Sequence, residues 1–390
     1  MHVIKKSTYM YICIFLIFIV GMGISSISNM VDFYVNDKAD YNEWNADLGN
    51  KFETDLATTF YRKSQFINMN GAIRNILHQR EMNGIVKLNN GYLMKPIEYV
   101  NDSTLQNYAD SISKLKDYLN SRDIDLLYSI TPYTVSKYDN QMPVGIKDYG
   151  NDNADRLISK IKAKRVDVID FREVMYEDGI NQYDMMYKTD HHWTTEAGFY
   201  AYKKLEEYIV NSTGCDVDNR VSDINSYTIK KYEKWHLGSN GQRTGRYYAG
   251  IDDFDFISPN FDIRVLSNEG RFGYAKDIIY NKKPLYTQDY SSRYTYDEVL
   301  GNSRGHYRNI DAKNDVKILM ISDSFAKAVN PYLIMGFSEF DYVGYSYVNT
   351  ITTTYVESFN PDIVIIMYYP GISAISSESY LFGGLDNNTK

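Results

Sequence analysis

Cysteine is scarce: Cys13 and Cys215 are the only two in 390 residues. The first lies inside an apolar run, so an intramolecular disulfide is not expected, and no Cys/His cluster has zinc spacing. The fold must therefore stand on its core. Positive charge is also in deficit, with 42 Lys+Arg against 50 Asp+Glu and a net charge of -8. Without the basic stripe that phosphate backbones require, nucleic acid is not an expected partner. There is no H-E-x-x-H motif, no Gly-Lys-Ser/Thr ending of a phosphate loop, no internal repeat and no low-complexity tract.

The composition is otherwise that of a folded chain, 44% hydrophobic and 24% charged, sized for one large domain or two unequal ones. Its 38 tyrosines suit sugar-stacking surfaces, and equally the residue usage of an AT-rich genome. Lys5 and Lys6 precede an apolar run from Tyr9 to Ile27. Such a run matches the roughly 20 residues that a membrane-crossing helix needs. The run lacks an A-x-A cleavage site, and Cys13 lies too deep for lipoprotein processing. Residues 1–30 are accordingly read as an uncleaved single-pass anchor, with everything after about residue 30 outside the cytoplasm.

Residues 31–80 read as a stalk and a helical segment around Leu56 to Gln79, and 81–390 as the catalytic domain. Asn89-Asn90-Gly91 joins two short apolar stretches as a hairpin turn. Leu105, Tyr108, Ala109, Ile112, Leu115 and Leu119 mark one face of a helix from Ser103 to Asn120. A strand at Ile124 to Ile130, a helix at Asp152 to Lys164 and a strand at Val166 to Ile169 follow. Two more apolar runs, Val316 to Ile321 and Ile363 to Tyr368, read as buried strands. This alternation predicts an α/β fold with a parallel sheet covered by helices. Residues 212–310 form a long irregular excursion, which in a compact domain is usually functional.

Two motifs carry chemistry. Ser324 follows a buried strand in Ile321-Ser322-Asp323-Ser324-Phe325, where a strand-to-helix turn lifts a side chain above the carboxyl edge of a sheet. A helix over Ala326 to Met335 would aim the N–H groups of Ser324 and Phe325 at an oxyanion. A bare helix cap is the competing explanation. Asp190 and His192, two apart in Asp190-His191-His192-Trp193, project to one side of an extended segment. The carboxylate then reaches one imidazole nitrogen while the other faces the serine. His191 is expected to point away and Trp193 to pack beneath the loop, with Thr194 or Thr195 capping the next helix. A metal site from Asp190, His191 and His192, with His236 or His306, competes with this assignment. The segment from Leu237 through Ser239, Arg243 and Tyr247 to Tyr248 combines glycines, guanidinium groups and tyrosines. It suits a sugar acceptor or an oxyanion donor, and equally a plain surface loop.

The D-x-H-W motif, the downstream S-D-S-F block and the N-terminal membrane segment together resemble the bacterial DHHW proteins. These are similar to the alginate O-acetyltransferase family of SGNH-hydrolase-like enzymes. The resemblance implies an SGNH-like fold, no metal or other cofactor, and a triad on Asp190, His192 and Ser324. It also implies a polysaccharide acceptor, and a membrane-bound O-acyltransferase partner that passes acetyl groups outward. A carbohydrate acetylesterase of the same fold and a non-catalytic glycan-binding scaffold are the alternatives. Ser322 replaces the glycine of G-D-S, and the glycine and asparagine blocks that complete an SGNH oxyanion hole have no match. Asn349 and Arg243 are the remaining candidates for that donor.

Overall fold

Strands that alternate between two buried faces set the architecture. In the last strand of the chain, Ile363, Ile365 and Met367 enter one hydrophobic core while Val364, Ile366 and Tyr368 enter another. A strand covered on both sides is what a parallel sheet between helix layers demands. Burying each such Ile or Val contributes about 1.5–3 kcal/mol.

The structure is a computed structural model that describes residues 6–36, 60–290, 294–351 and 353–383. Its contacts divide the chain into two units, residues 1–70 and 71–390. In the first, the helix Lys6–Asn36 contains Tyr9–Ile27, long and apolar enough to cross a membrane. Most of the expected stalk lies outside the described residues.

The second unit opens with a small antiparallel sheet of β1 (Glu81–Met82), β2 (Ile85–Lys87) and β3 (Leu93–Met94). The main sheet draws on β4 (Asp125–Ile130) and β5 (Asp167–Asp170). A separate two-stranded ribbon pairs β6 (Tyr227–His236) with β7 (Asp252–Pro259). There follow β8 (Arg264–Ser267), β9 (Phe272–Tyr274), β10 (Tyr307–Asn309), β11 (Lys317–Ser322), β12 (Glu339–Gly344) and β13 (Ile363–Tyr368). The main sheet has the order β5-β4-β13-β11-β12-β10-β8-β9. Its first five strands are parallel, as the sequence predicts, and β10, β8 and β9 extend it antiparallel.

Helices Asp102–Asn120 and Gly150–Ala163 cover one face, packing Leu105, Ile112, Ile158 and Ile161 into its core. Asn101 caps the first by accepting from the Thr104 N–H at 2.8 Å. Helix Thr195–Thr213 covers the other face through Phe199, Leu205 and Ile209. The excursion over 212–310 is more regular than its sequence suggests. It supplies the β6–β7 ribbon and the antiparallel edge of the main sheet. The expected helix over Ala326 to Met335 is broken in two, a 3-10 turn at Ser324–Ala328 and a helix at Asn330–Gly336. Pro331 is the reason, since a proline fits the first turn of a helix but not its interior.

Candidate active site

β11 lies between β13 and β12, and Ser324 emerges two residues beyond its carboxyl end. The turn is held by Asp323, whose carboxylate accepts from the N–H of Phe325 at 2.8 Å and of Tyr369 at 2.7 Å. Burial raises the Asp323 pKa to about 6, a rise that these N–H groups oppose. The expected use of the Phe325 amide as an oxyanion donor is therefore corrected: Asp323 already engages it.

The Asp190-His191-His192-Trp193 segment is a turn clamped from both sides. Tyr187 N–H donates to the His192 carbonyl at 3.2 Å and Thr194 N–H to the Met185 carbonyl at 2.9 Å. On the other flank Asp252, from β7, accepts from Lys188 N–H at 3.0 Å, Thr189 N–H at 2.8 Å and the Thr189 hydroxyl at 2.6 Å. Trp193 is fully buried, as expected, and its indole N–H donates to the Phe325 carbonyl at 2.8 Å. Thr194 caps the following helix by accepting from Ala197 N–H.

These constraints bring Asp190, His192 and Ser324 together. His192 Nε2 lies 2.6 Å from Ser324 Oγ, and His192 Nδ1 lies 3.3 Å from Asp190 Oδ1. The second distance is too long for a charge-assisted hydrogen bond, and His192 Nδ1 faces the carboxylate without a hydrogen-bond partner among the described residues. With Nδ1 protonated and facing the carboxylate, Nε2 is free to accept from the serine; that tautomer is assigned from the network. The ring stacks on Tyr296 at 4.3 Å and 18°. Burial and the neighbouring His191 charge lower the His192 pKa to about 4, against the pull of Asp190. The imidazole is thus neutral at pH 7.

Asp190 is a hub, almost fully buried. It accepts from His191 N–H at 2.7 Å and the Ser239 hydroxyl at 3.0 Å, while His236 Nε2 sits 2.9 Å from Oδ2. Burial opposes its ionisation, but His192, His191 and His236 outweigh it and hold the pKa well below the carboxylate range. His191 does not point away. Its Nδ1 lies 3.0 Å from Asp190 Oδ1 and 2.7 Å from Ser239 Oγ, and its ring is 3.9 Å from that of His192. Asp190 raises its pKa in spite of burial.

The donor atoms of Asp190, His191 and His192 lie within 4.8 Å of one another, a spacing that would admit an ion. His192, however, spends Nε2 on Ser324, and Asp190 is shared among three hydrogen-bond partners, the His191 N–H, Ser239 and His236. His306 stands apart, paired with Glu339 at 2.7 Å.

Ser239 thus sits behind Asp190 rather than beside an oxyanion. Close approach by the Leu237-Gly238-Ser239 segment depends on Gly238, where a Cβ would come within 2.6 Å of the Asp190 Cα. Arg243 and Tyr247 are exposed on that same segment, and Asn349 is exposed on a 3-10 turn. None of the three lines the cavity in front of Ser324. That cavity, about 730 Å³, is lined instead by His191, His192, Asp297, Arg304 and Lys327, with Tyr342, Tyr345 and Tyr347 on its wall. Lys327 is buried and ion-paired with Asp297. Sequence reasoning missed Tyr296, Asp297, Lys327 and Asp252, none of which belongs to a local motif.

Residues 92–220 match the family model described as SGNH hydrolase-like domain, acetyltransferase AlgX. No curated protein matches the sequence. Among solved structures, Bacillus cereus PatB1 with a sulfonyl adduct is 17% identical, with a TM-score of 0.61 over 78% of this chain and 99% of that one. A DHHW family protein from Eubacterium siraeum is 16% identical, with a TM-score of 0.56 over 77% and 95%. At such identities the likeness speaks to the fold. The chain has an SGNH-like α/β fold, a mixed sheet flanked by helices, and is similar to the alginate-type acetyltransferase family over the matched residues.

Proposed function

We propose that this chain is a membrane-anchored, extracytoplasmic O-acetyltransferase that acetylates hydroxyls of a cell-surface or secreted polysaccharide. The observation that carries the reading is the 2.6 Å approach of neutral His192 Nε2 to Ser324 Oγ, at the carboxyl edge of a parallel sheet and open to a large cavity. The match of residues 92–220 to an acetyltransferase domain supports it. In this reading 81–390 is the catalytic domain, and the helix containing Tyr9–Ile27 is the anchor.

His192 takes the Ser324 proton as Oγ attacks the acetyl carbonyl, and the tetrahedral intermediate collapses to acetyl-serine. The leaving group departs with the proton from His192. A sugar hydroxyl then gives its proton to Nε2 and attacks the ester; the ester C–O bond breaks and the proton returns to Ser324. Asp190 fixes the tautomer and orients the ring. No acetyl-CoA is available outside the cell, so a polytopic membrane-bound O-acyltransferase is the proposed acetyl supplier.

The test follows the intact mass of the full chain in detergent micelles with p-nitrophenyl acetate, with and without oligosaccharide. Wild type should gain one acetyl group, discharged faster by oligosaccharide than by water, while Ser324→Ala gains none. Discharge to water regardless of acceptor would make the protein an esterase. Equal behaviour of wild type and Ser324→Ala would refute the triad.

A further inference from the structure

The Ser324–Ala328 segment is a 3-10 turn, in which side chains three residues apart eclipse one another. Lys327 therefore stands on the same side of the turn as the nucleophile, and both line the cavity of about 730 Å³. The Phe325 amide is engaged by Asp323, and Arg243 and Asn349 lie outside that cavity, so the charge that develops on the acetyl oxygen needs another donor. We propose that the Lys327 ammonium is that donor, a catalytic residue beside the triad. This inference rests on the proposed function.

The pair that Lys327 forms with Asp297 lies beside the base. Tyr296, next in the chain to Asp297, stacks on the His192 ring, and its hydroxyl donates to the Phe325 carbonyl at 3.0 Å. The Asp297 charge is felt at both His191 and His192, where it opposes the lowering of their pKa values by burial. Burial lowers the Lys327 pKa as well, and Asp297 opposes that shift too. The Lys327 backbone is tied down, its carbonyl accepting from the Ser303 hydroxyl at 3.2 Å. An ammonium carries three N–H donors, and the Asp297 contact takes one. Of the other side-chain donors in the cavity, Arg304 lies where it meets a second cavity bounded by Asn268 and Arg271, and the Tyr342 hydroxyl donates to the Ser322 carbonyl at 3.2 Å. A buried cation already held in place needs no reorganisation when charge develops beside it. As Ser324 Oγ bonds to the acetyl carbon, the C=O π pair moves onto oxygen, and Lys327 donates a hydrogen bond to that oxyanion while keeping its proton. Collapse restores the C=O bond and expels the leaving group. The same contact serves the attack of the sugar hydroxyl on acetyl-serine.

The test compares Lys327→Met with the double variant Lys327→Met/Asp297→Asn, as full chains in micelles at pH 7. The single variant leaves Asp297 unpaired and should melt lower, whereas the double variant removes both charges and should melt close to wild type. Removing one oxyanion donor costs about 100- to 1000-fold in rate. The p-nitrophenolate burst of the double variant should slow by that factor at an unchanged half-saturating concentration of p-nitrophenyl acetate. Its affinity for phenylboronic acid, which forms a tetrahedral anion on Ser324, should fall about tenfold or more, since that adduct resembles the transition state. A burst within tenfold of wild type, or recovery in the double variant of the rate lost in the single one, would overturn the inference. So would a loss confined to the half-saturating concentration, or an unchanged boronate affinity; each of these leaves acetyl-serine formation standing. Absence of acetyl-serine in the wild type would instead overturn the proposed function, and this inference with it.

Discussion

His236→Leu tests whether the insertion serves the reaction by holding Asp190. His236 is fully buried on β6, and its Nε2 faces Asp190 Oδ2 at 2.9 Å, on the opposite side of the carboxylate from His192. Leucine removes that partner from a fully buried position. A hydrogen bond to a charged group is worth about 1.5–3 kcal/mol. If most of that loss falls on the orientation of His192, acylation slows by about 10- to 100-fold, at 1.36 kcal/mol per decade. His236→Gln keeps an N–H at similar reach and should recover most of the rate. The assay is the p-nitrophenolate burst of the full chain in micelles, with thermal melting as a control. Leucine within twofold of wild type would refute the reasoning. So would glutamine as slow as leucine in a protein that melts normally, since the hydrogen bond would then not be the active feature.

Acylation needs His192 neutral, so the rate should climb with pH through its pKa of about 4 and be flat well before pH 7. His191→Gln removes a neighbouring charge that lowers that pKa while Asp190 and Asp297 still raise it. The acid limb of the burst rate should move to higher pH, and an unmoved or lowered limb would contradict the coupling. Gly238→Ala places a Cβ against the Asp190 backbone. Overpacking of this kind costs about 1–3 kcal/mol. A lower melting temperature and a lost burst are expected, and an unperturbed enzyme would mean that the loop can recede.

The parallel core and the three residues at its edge were legible because each is written locally. β11 and β13 are short apolar runs, Asp190 and His192 have the spacing of one face, and Ser324 follows a strand. The rest depends on contacts across long stretches of chain. His236 and Asp252 reach the Asp190 turn only because β6 and β7 pair, and nothing near either residue announces that destination. Tyr296 stacks on His192 from a segment without a motif. His191 defeated the alternation rule for another reason: residues 188–193 form a turn rather than a strand, so neighbours do not face opposite ways. The Phe325 amide was misassigned because Asp323 was read as part of a motif, not as a competing acceptor.

One carboxylate shared among three imidazoles constrains how the base can work. With its pKa lowered to about 4, His192 is a weaker base than one poised near 7. Asp190 cannot restore it alone, since His191 draws on the same Oδ1, at 3.0 Å against 3.3 Å for His192. The two histidines therefore compete, and a proton on His191 is a proton withheld from His192. Loss of the His191 proton would remove the nearest repulsive charge and so strengthen the base, while Oδ1 would still accept from the His191 N–H and the Ser239 hydroxyl. The shift of the acid limb in His191→Gln measures how strongly the two histidines are coupled.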